Sequence, residues 1–206
     1  FPIIEVSLPI NHAIMKRLLL IVDPQNDFIS GTLPVPGAAE KMEALENYIR
    51  ETDREYEFKV VTTDWHPYQH CSFTENGGEW PMHCVQNTAG AAICQTLIKP
   101  LFTTKGEVTV LRKGTSEDAD EYSIFKNTMS AEKIDKLIRG NCIERIDICG
   151  IAGDVCVLNT LRDGIERYGA AMFRVLTEFC PSLDGGTALA EAIVATGCES
   201  SGGSQM

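Results

Sequence analysis

The chain has 206 residues, 44% of them hydrophobic and 23% charged, the balance of a soluble protein able to bury one sizeable core, and no linker-like stretch divides it. A net charge of −11 with no concentrated basic patch argues against nucleic acid and against an anionic membrane surface as partners. The longest apolar run, residues 18–22, is too short to span a bilayer, so a small molecule is the expected partner, and a homo-oligomer is compatible with the composition.

Residues 1–14 precede a Met15-Lys16-Arg17 that reads as a natural start, and they are expected to be an extension outside a single domain spanning residues 15–198. Strand-length apolar runs then alternate with helical patterns. A strand is expected at 17–22, a helix at 38–49 and a strand at 58–63, followed by a long connection, 64–100, rich in polar, aromatic and glycine residues. A third strand at 108–112 leads into a second long connection, 113–130, and then come a helix at 131–138, a strand at 145–150, a helix at 155–168, a strand at 172–176 and a helix at 187–195. Several helical patterns follow a capping Ser, Asp or Gly. The alternation predicts an α/β protein with an open, mainly parallel sheet covered by helices on both faces. The tail, 199–206, has too little apolar surface to order itself and is expected to be flexible. Eight cysteines with no secretory signal point to reduced thiols in a cytoplasm rather than a disulfide framework.

Polar groups fall just after four of the strands: Asp23, Asp64, Lys113 and the turn 150–156 that contains Cys156. In open α/β sheets the carboxyl ends of the strands are where loops converge on a ligand, so residues distant in sequence are expected to meet there. Cys156 falls at or near a helix N-terminus, where the partial positive charge would lower its thiol pKa and free backbone N–H groups could hold an oxyanion. A lone buried cysteine is otherwise an ordinary small hydrophobe. Asp23 closes an apolar strand, so its carboxylate could accept the thiol proton, or merely cap a turn. Lys113 could favour the thiolate and keep the carboxylate ionised, or be simply solvated.

Three of the four histidines cluster at 66–83. Asp64, His66 and His83 offer one carboxylate and two imidazoles, a donor set that suits zinc, iron or manganese and leaves coordination positions open. His70 is either a fourth ligand or an orienting neighbour. The remaining cysteines show no Cys-x-x-Cys pairing and read as packing residues. Phe28, Trp65, Trp80 and Tyr122 lie in the same loops and could wall a slot for a flat ring.

Taken together, VDPQNDF at 22–28, DWHPYQHCSF at 64–73, WPMHC at 80–84, RKG at 112–114, YS at 122–123 and GIAGDVCV at 150–157 resemble the nicotinamidase branch of the isochorismatase-like cysteine hydrolases. The resemblance implies a three-layer sandwich, a catalytic triad of Asp23, Lys113 and Cys156, and a divalent metal, zinc first, on Asp64, His66 and His83. It also implies a cis peptide between Ile151 and Ala152, an oxyanion hole from the Ala152 and Cys156 N–H groups, and a pyridine ring held among Phe28, Trp80, Tyr122 and Ile151 with its nitrogen towards the metal. The implied reaction converts nicotinamide to nicotinate and ammonia through a thioester. A relative acting on another small amide, or an idle binding module, are the alternatives. Two features depart from the family pattern: Cys84 to Ala91 replaces the usual Gly-Thr-Pro-Gly, and Val155 stands where many relatives have a larger residue.

Overall fold

Leu18, Leu19, Leu20, Ile21 and Val22 are all fully buried, which is possible only for a strand covered on both faces, and β1 (Arg17–Val22) accordingly runs through the middle of a sheet. The structure is a computed structural model that describes residues 15–201; the expected extension and most of the expected tail lie outside the described residues. β2 (Phe58–Asp64) pairs with one side of β1 and β4 (Arg145–Gly150) with the other. β3 (Glu107–Lys113) lies beyond β2, and β5 (Phe173–Val175) and β6 (Glu199–Ser200) lie beyond β4. All five pairings are parallel, in the order β3-β2-β1-β4-β5-β6.

The connecting helices are α1 (Asn26–Ile29), α2 (Ala38–Glu51), α3 (Gln95–Thr103), α4 (Thr128–Gly140), α5 (Leu158–Tyr168) and α6 (Thr187–Thr196). Right-handed crossovers put α2 and α3 on one face of the sheet and α4, α5 and α6 on the other, in agreement with the packing of α2 on α3 and of α5 on α6. Among the described residues no helix is long and apolar enough to cross a membrane.

Four differences from the sequence reading have physical causes. α3 falls inside the connection expected at 64–100, because Pro100 hides a helix whose apolar side, Leu97 and Leu101, packs inward. The ammonium of Lys59 donates to the carbonyls of Leu101 (2.8 Å) and Thr104 (3.2 Å) at its C-terminal end. α4 begins at Thr128 rather than at 131, since the Asn127 side chain caps it by accepting from the Ser130 N–H. The helix expected from 155 is preceded by a π-helical turn, Gly153–Val157, and α5 starts at Leu158. The tail expected to be flexible from Glu199 instead begins with β6, and the Ser201 N–H donates to the Val175 carbonyl.

Well away from the strand tips, Asp147 is fully buried on β4 and is satisfied by Arg17, by both Nε and Nη2 of Arg174 (2.9 and 2.7 Å) and by the Tyr56 hydroxyl (2.6 Å). Asp147→Ala strands two guanidinium groups, and urea unfolding is expected to show a loss of about 3 kcal/mol, the low end of the range for breaking a buried ion pair because both arginines reach solvent.

Candidate active site

Strand order reverses between β1 and β4, the position where α/β sheets open a crevice at their carboxyl ends. Asp23 follows β1, Asp64 ends β2, and Lys113 ends β3 directly in register with Asp64. Cys156 sits in the π-helical turn that leaves β4. The sheet thus delivers all four side chains to one point, and each is buried.

The Lys113 ammonium lies 2.8 Å from Asp23 Oδ2, 2.5 Å from Asp64 Oδ1 and 3.5 Å from Cys156 Sγ. The two carboxylates and the sulfur lie within 4.8 Å of one another. Burial works against the lysine's charge, but its two carboxylate neighbours outweigh burial and hold its pKa well above an ordinary lysine's. Burial would raise Asp64 too, yet Lys113 and the adjacent imidazoles keep its carboxyl well below the usual range. Asp23 goes the other way: burial, reinforced by Asp64, outweighs Lys113, and its pKa rises. The Thr62 hydroxyl donates to Asp23 Oδ1 (2.7 Å), and Asp23 itself is held at φ 46°, an uncommon conformation for a non-glycine residue.

The expectation that Cys156 has a lowered pKa is corrected. Burial pushes its thiol well above the ordinary cysteine value despite Lys113, which pulls the other way. The reason is positional, since the sulfur lies in the interior of the turn rather than at an open helix end. The Ile151–Ala152 peptide is cis, and the Ala152 N–H meets no protein acceptor among the described residues.

One ligand atom each from Asp64, His66 and His83 lies within 4.8 Å of the others. Hydrogen bonds aim the three donors. His66 Nδ1 contacts the Gly114 carbonyl (3.0 Å) and His83 Nδ1 the Pro81 carbonyl (2.7 Å), which leaves Nε2 of each ring as the nitrogen available to a cation. Asp64 spends Oδ1 on Lys113, while Oδ2 lies 3.6 Å from His66 Nε2. A carboxylate and two imidazoles with open positions fit a divalent cation of the zinc, iron or manganese type. His70 does not join them: Nδ1 contacts Ser72 Oγ (2.7 Å), Nε2 contacts the Ala119 carbonyl (3.0 Å), and the ring stacks on His66 with centroids 4.0 Å apart.

Cys156, Lys113 and the metal-type cluster open into one cavity walled by Phe28, Trp80, Tyr122, Val155 and Leu183. The Trp80 indole N–H donates to the Tyr122 hydroxyl (3.0 Å), joining walls from two different loops, and Phe28 packs on His83 with centroids 5.5 Å apart. Two expected wall residues are elsewhere. Trp65 is covered by the Arg112 guanidinium, 3.8 Å from its ring centroid, and Ile151 is fully buried in the core behind the cavity.

Residues 17–175 match the Isochorismatase domain. The chain belongs to the isochorismatase family. Within that family it is 34% identical over 179 residues to the nicotinamidase/pyrazinamidase of Mycobacterium tuberculosis, covering 84% of this chain and 91% of the relative. Its fold matches the pyrazinamidase of Pyrococcus horikoshii in complex with zinc at a TM-score of 0.74 and 32% identity, covering 90% and 98% of the two chains. It matches the yeast nicotinamidase bound to the inhibitor nicotinaldehyde at a TM-score of 0.77 and 25% identity, covering 89% and 98%. The chain is thus placed on the nicotinamidase branch of the isochorismatase family, among hydrolases of amide bonds.

Several supports of this family site escape a reading by residue type, because they act through the backbone. The Gln25 amide donates to the Asp64 (2.7 Å) and Ala91 (2.8 Å) carbonyls and accepts the Asp64 N–H (2.7 Å), pinning the end of β2. Glu121 accepts the Gly114 N–H (2.7 Å), and Gly114, at φ 60°, leaves no space for a Cβ against the His66 ring. Asp27 accepts the Cys84 N–H (2.7 Å). The only sequence signal was that Gln25 and Asp27 lie in the motif at 22–28 and Gly114 in the one at 112–114, while Glu121 falls outside every motif.

Lys113→Met leaves two buried carboxylates facing each other, and urea unfolding of the metal-free protein is expected to show a loss of about 3–5 kcal/mol.

Proposed function

We propose that this chain hydrolyses nicotinamide to nicotinate and ammonia in the cytoplasm, as a step of NAD salvage. The observation that carries the reading is that Cys156 and Lys113, with Asp23 buried behind them, meet at a cavity with aromatic walls beside Asp64, His66 and His83. The relatives' names, the zinc in one and the pyridine aldehyde in another, support the same substrate class. Eight free cysteines suit a reducing compartment.

Phe28, Trp80 and Tyr122 would hold the flat ring and keep bulk water away from the reacting carboxamide. Asp23, whose raised pKa prepares it to accept a proton, takes the proton of the Cys156 thiol as the sulfur attacks the carbonyl carbon. Lys113 stabilises the charge on both partners during the transfer. The C=O pair moves to oxygen, and the Ala152 N–H, free of protein acceptors, offers a donor to that oxyanion together with the Cys156 N–H. Collapse breaks the C–N bond, and Asp23 passes its proton to the departing nitrogen, which leaves as ammonia. A thioester on Cys156 remains. Asp23, now ionised, can deprotonate the attacking water, and collapse releases nicotinate and returns the thiol. Asp64, His66 and His83 would hold a divalent cation, which when bound supplies Lewis-acid polarisation at its open positions.

Purified protein supplied with zinc is expected to release ammonia from nicotinamide, and Cys156→Ala is expected to lower that rate by at least about 10⁴-fold, as loss of a nucleophile does elsewhere. An enzyme-coupled ammonia assay reads both. Equal rates for parent and variant, or none from the parent, would remove the proposal.

A further inference from the structure

Asp27 lies outside the cavity, is 7% exposed, and has a carboxylate whose two oxygens are both committed to backbone. Oδ2 accepts the Cys84 N–H at 2.7 Å and Oδ1 the Thr32 N–H at 3.2 Å. Its own N–H donates to the Gly90 carbonyl (3.0 Å), so Asp27 joins α1 to the loop after His83 twice, beside two bonds from Asn26 to the Ala89 and Ala92 carbonyls. Gly31 and Gly90 line the carboxylate so closely that a Cβ on either would overlap it.

What Asp27 holds is unusual. Cys84 follows His83 directly and sits at φ 47°, a left-handed conformation that a non-glycine residue keeps only when its surroundings impose it. Its carbonyl accepts the His66 N–H at 3.0 Å. One residue therefore stands between both imidazoles of the metal-type cluster: its N–H, next to His83, is fixed by Asp27, and its carbonyl accepts from His66. The same short helix carries Phe28, which packs on His83.

We infer that Asp27 is a positioning residue for the cation site: by holding the left-handed turn at Cys84, it sets the spacing of the His66 and His83 imidazoles. This rests on the metal reading of Asp64, His66 and His83. An asparagine at 27 has one acceptor oxygen for two N–H donors, so one of the two bonds is lost. In Gly90→Ala the carboxylate is kept, but the new methyl group displaces Oδ2 from Cys84.

Metal-free parent, Asp27→Asn and Gly90→Ala are titrated with zinc against a chromophoric chelator, and with cobalt(II) to record the visible d–d bands. Thermal unfolding of each metal-free protein is followed in parallel. Both variants are expected to bind zinc about 10- to 100-fold more weakly, as loss of an orienting partner does at other sites, with altered cobalt bands that a merely destabilised fold would not produce. Variants that bind zinc as tightly as the parent, with the parent's cobalt spectrum, overturn the inference. Should Asp27→Asn fail to fold, Gly90→Ala decides by the same two readouts. A parent that takes up neither ion overturns the metal reading, and this inference with it.

Discussion

The arrangement depends on one buried ammonium. Lys113 has no solvent, and three groups that each need it surround it: the carboxylates of Asp23 and Asp64 and the sulfur of Cys156. At about 4 Å and an effective dielectric constant of about 20, two unit charges interact by roughly 4 kcal/mol. The repulsion between the two carboxylates is therefore outweighed only because the ammonium attracts both. The same balance explains why the carboxylates diverge. Asp64 is held well below the usual carboxylate range, while Asp23, more dominated by burial, is raised above it.

Asp64 joins the two halves of the site. One of its oxygens faces the lysine and the other faces the imidazoles, so the group that pairs with Lys113 also belongs to the metal-type cluster. Backbone supports from neighbouring loops fix this two-sided residue: Gln25 holds its peptide, and the Gly114 turn, tied by Glu121, holds His66. The fold supplies the convergence, because parallel strands end at a common edge and the order reverses between β1 and β4. The loops supply the angles.

Much of this was legible in the sequence, for reasons that can be named. Fully buried parallel strands read as continuous apolar runs, so β1 and β4 stand where the sequence places them, to the residue, and polar residues closing such runs mark the strand tips. Asp23, Asp64 and Lys113 each stood out as a charge at the end of an apolar run, and the histidines stood out by clustering. α3 was hidden by Pro100, and β6 by two residues whose pairing depends on a neighbouring strand rather than on their own composition. The rise in the thiol's pKa could not be read from its position before a helix, because burial is a property of the folded state. Gln25, Asp27 and Glu121 were silent for a related reason: their roles lie in hydrogen bonds to distant backbone, and no local pattern announces such a bond.

The central claim is that the sulfur of Cys156, poised between Lys113 and Asp23, carries the acyl group. It is tested most directly by acid-quenching the zinc-loaded protein during turnover of nicotinamide, then measuring intact mass and mapping peptides. The account predicts a single nicotinoyl group, on the peptide containing Cys156 and labile to hydroxylamine as a thioester is. An acyl group on any other residue, or turnover with no covalent species under conditions that trap thioesters, would contradict it.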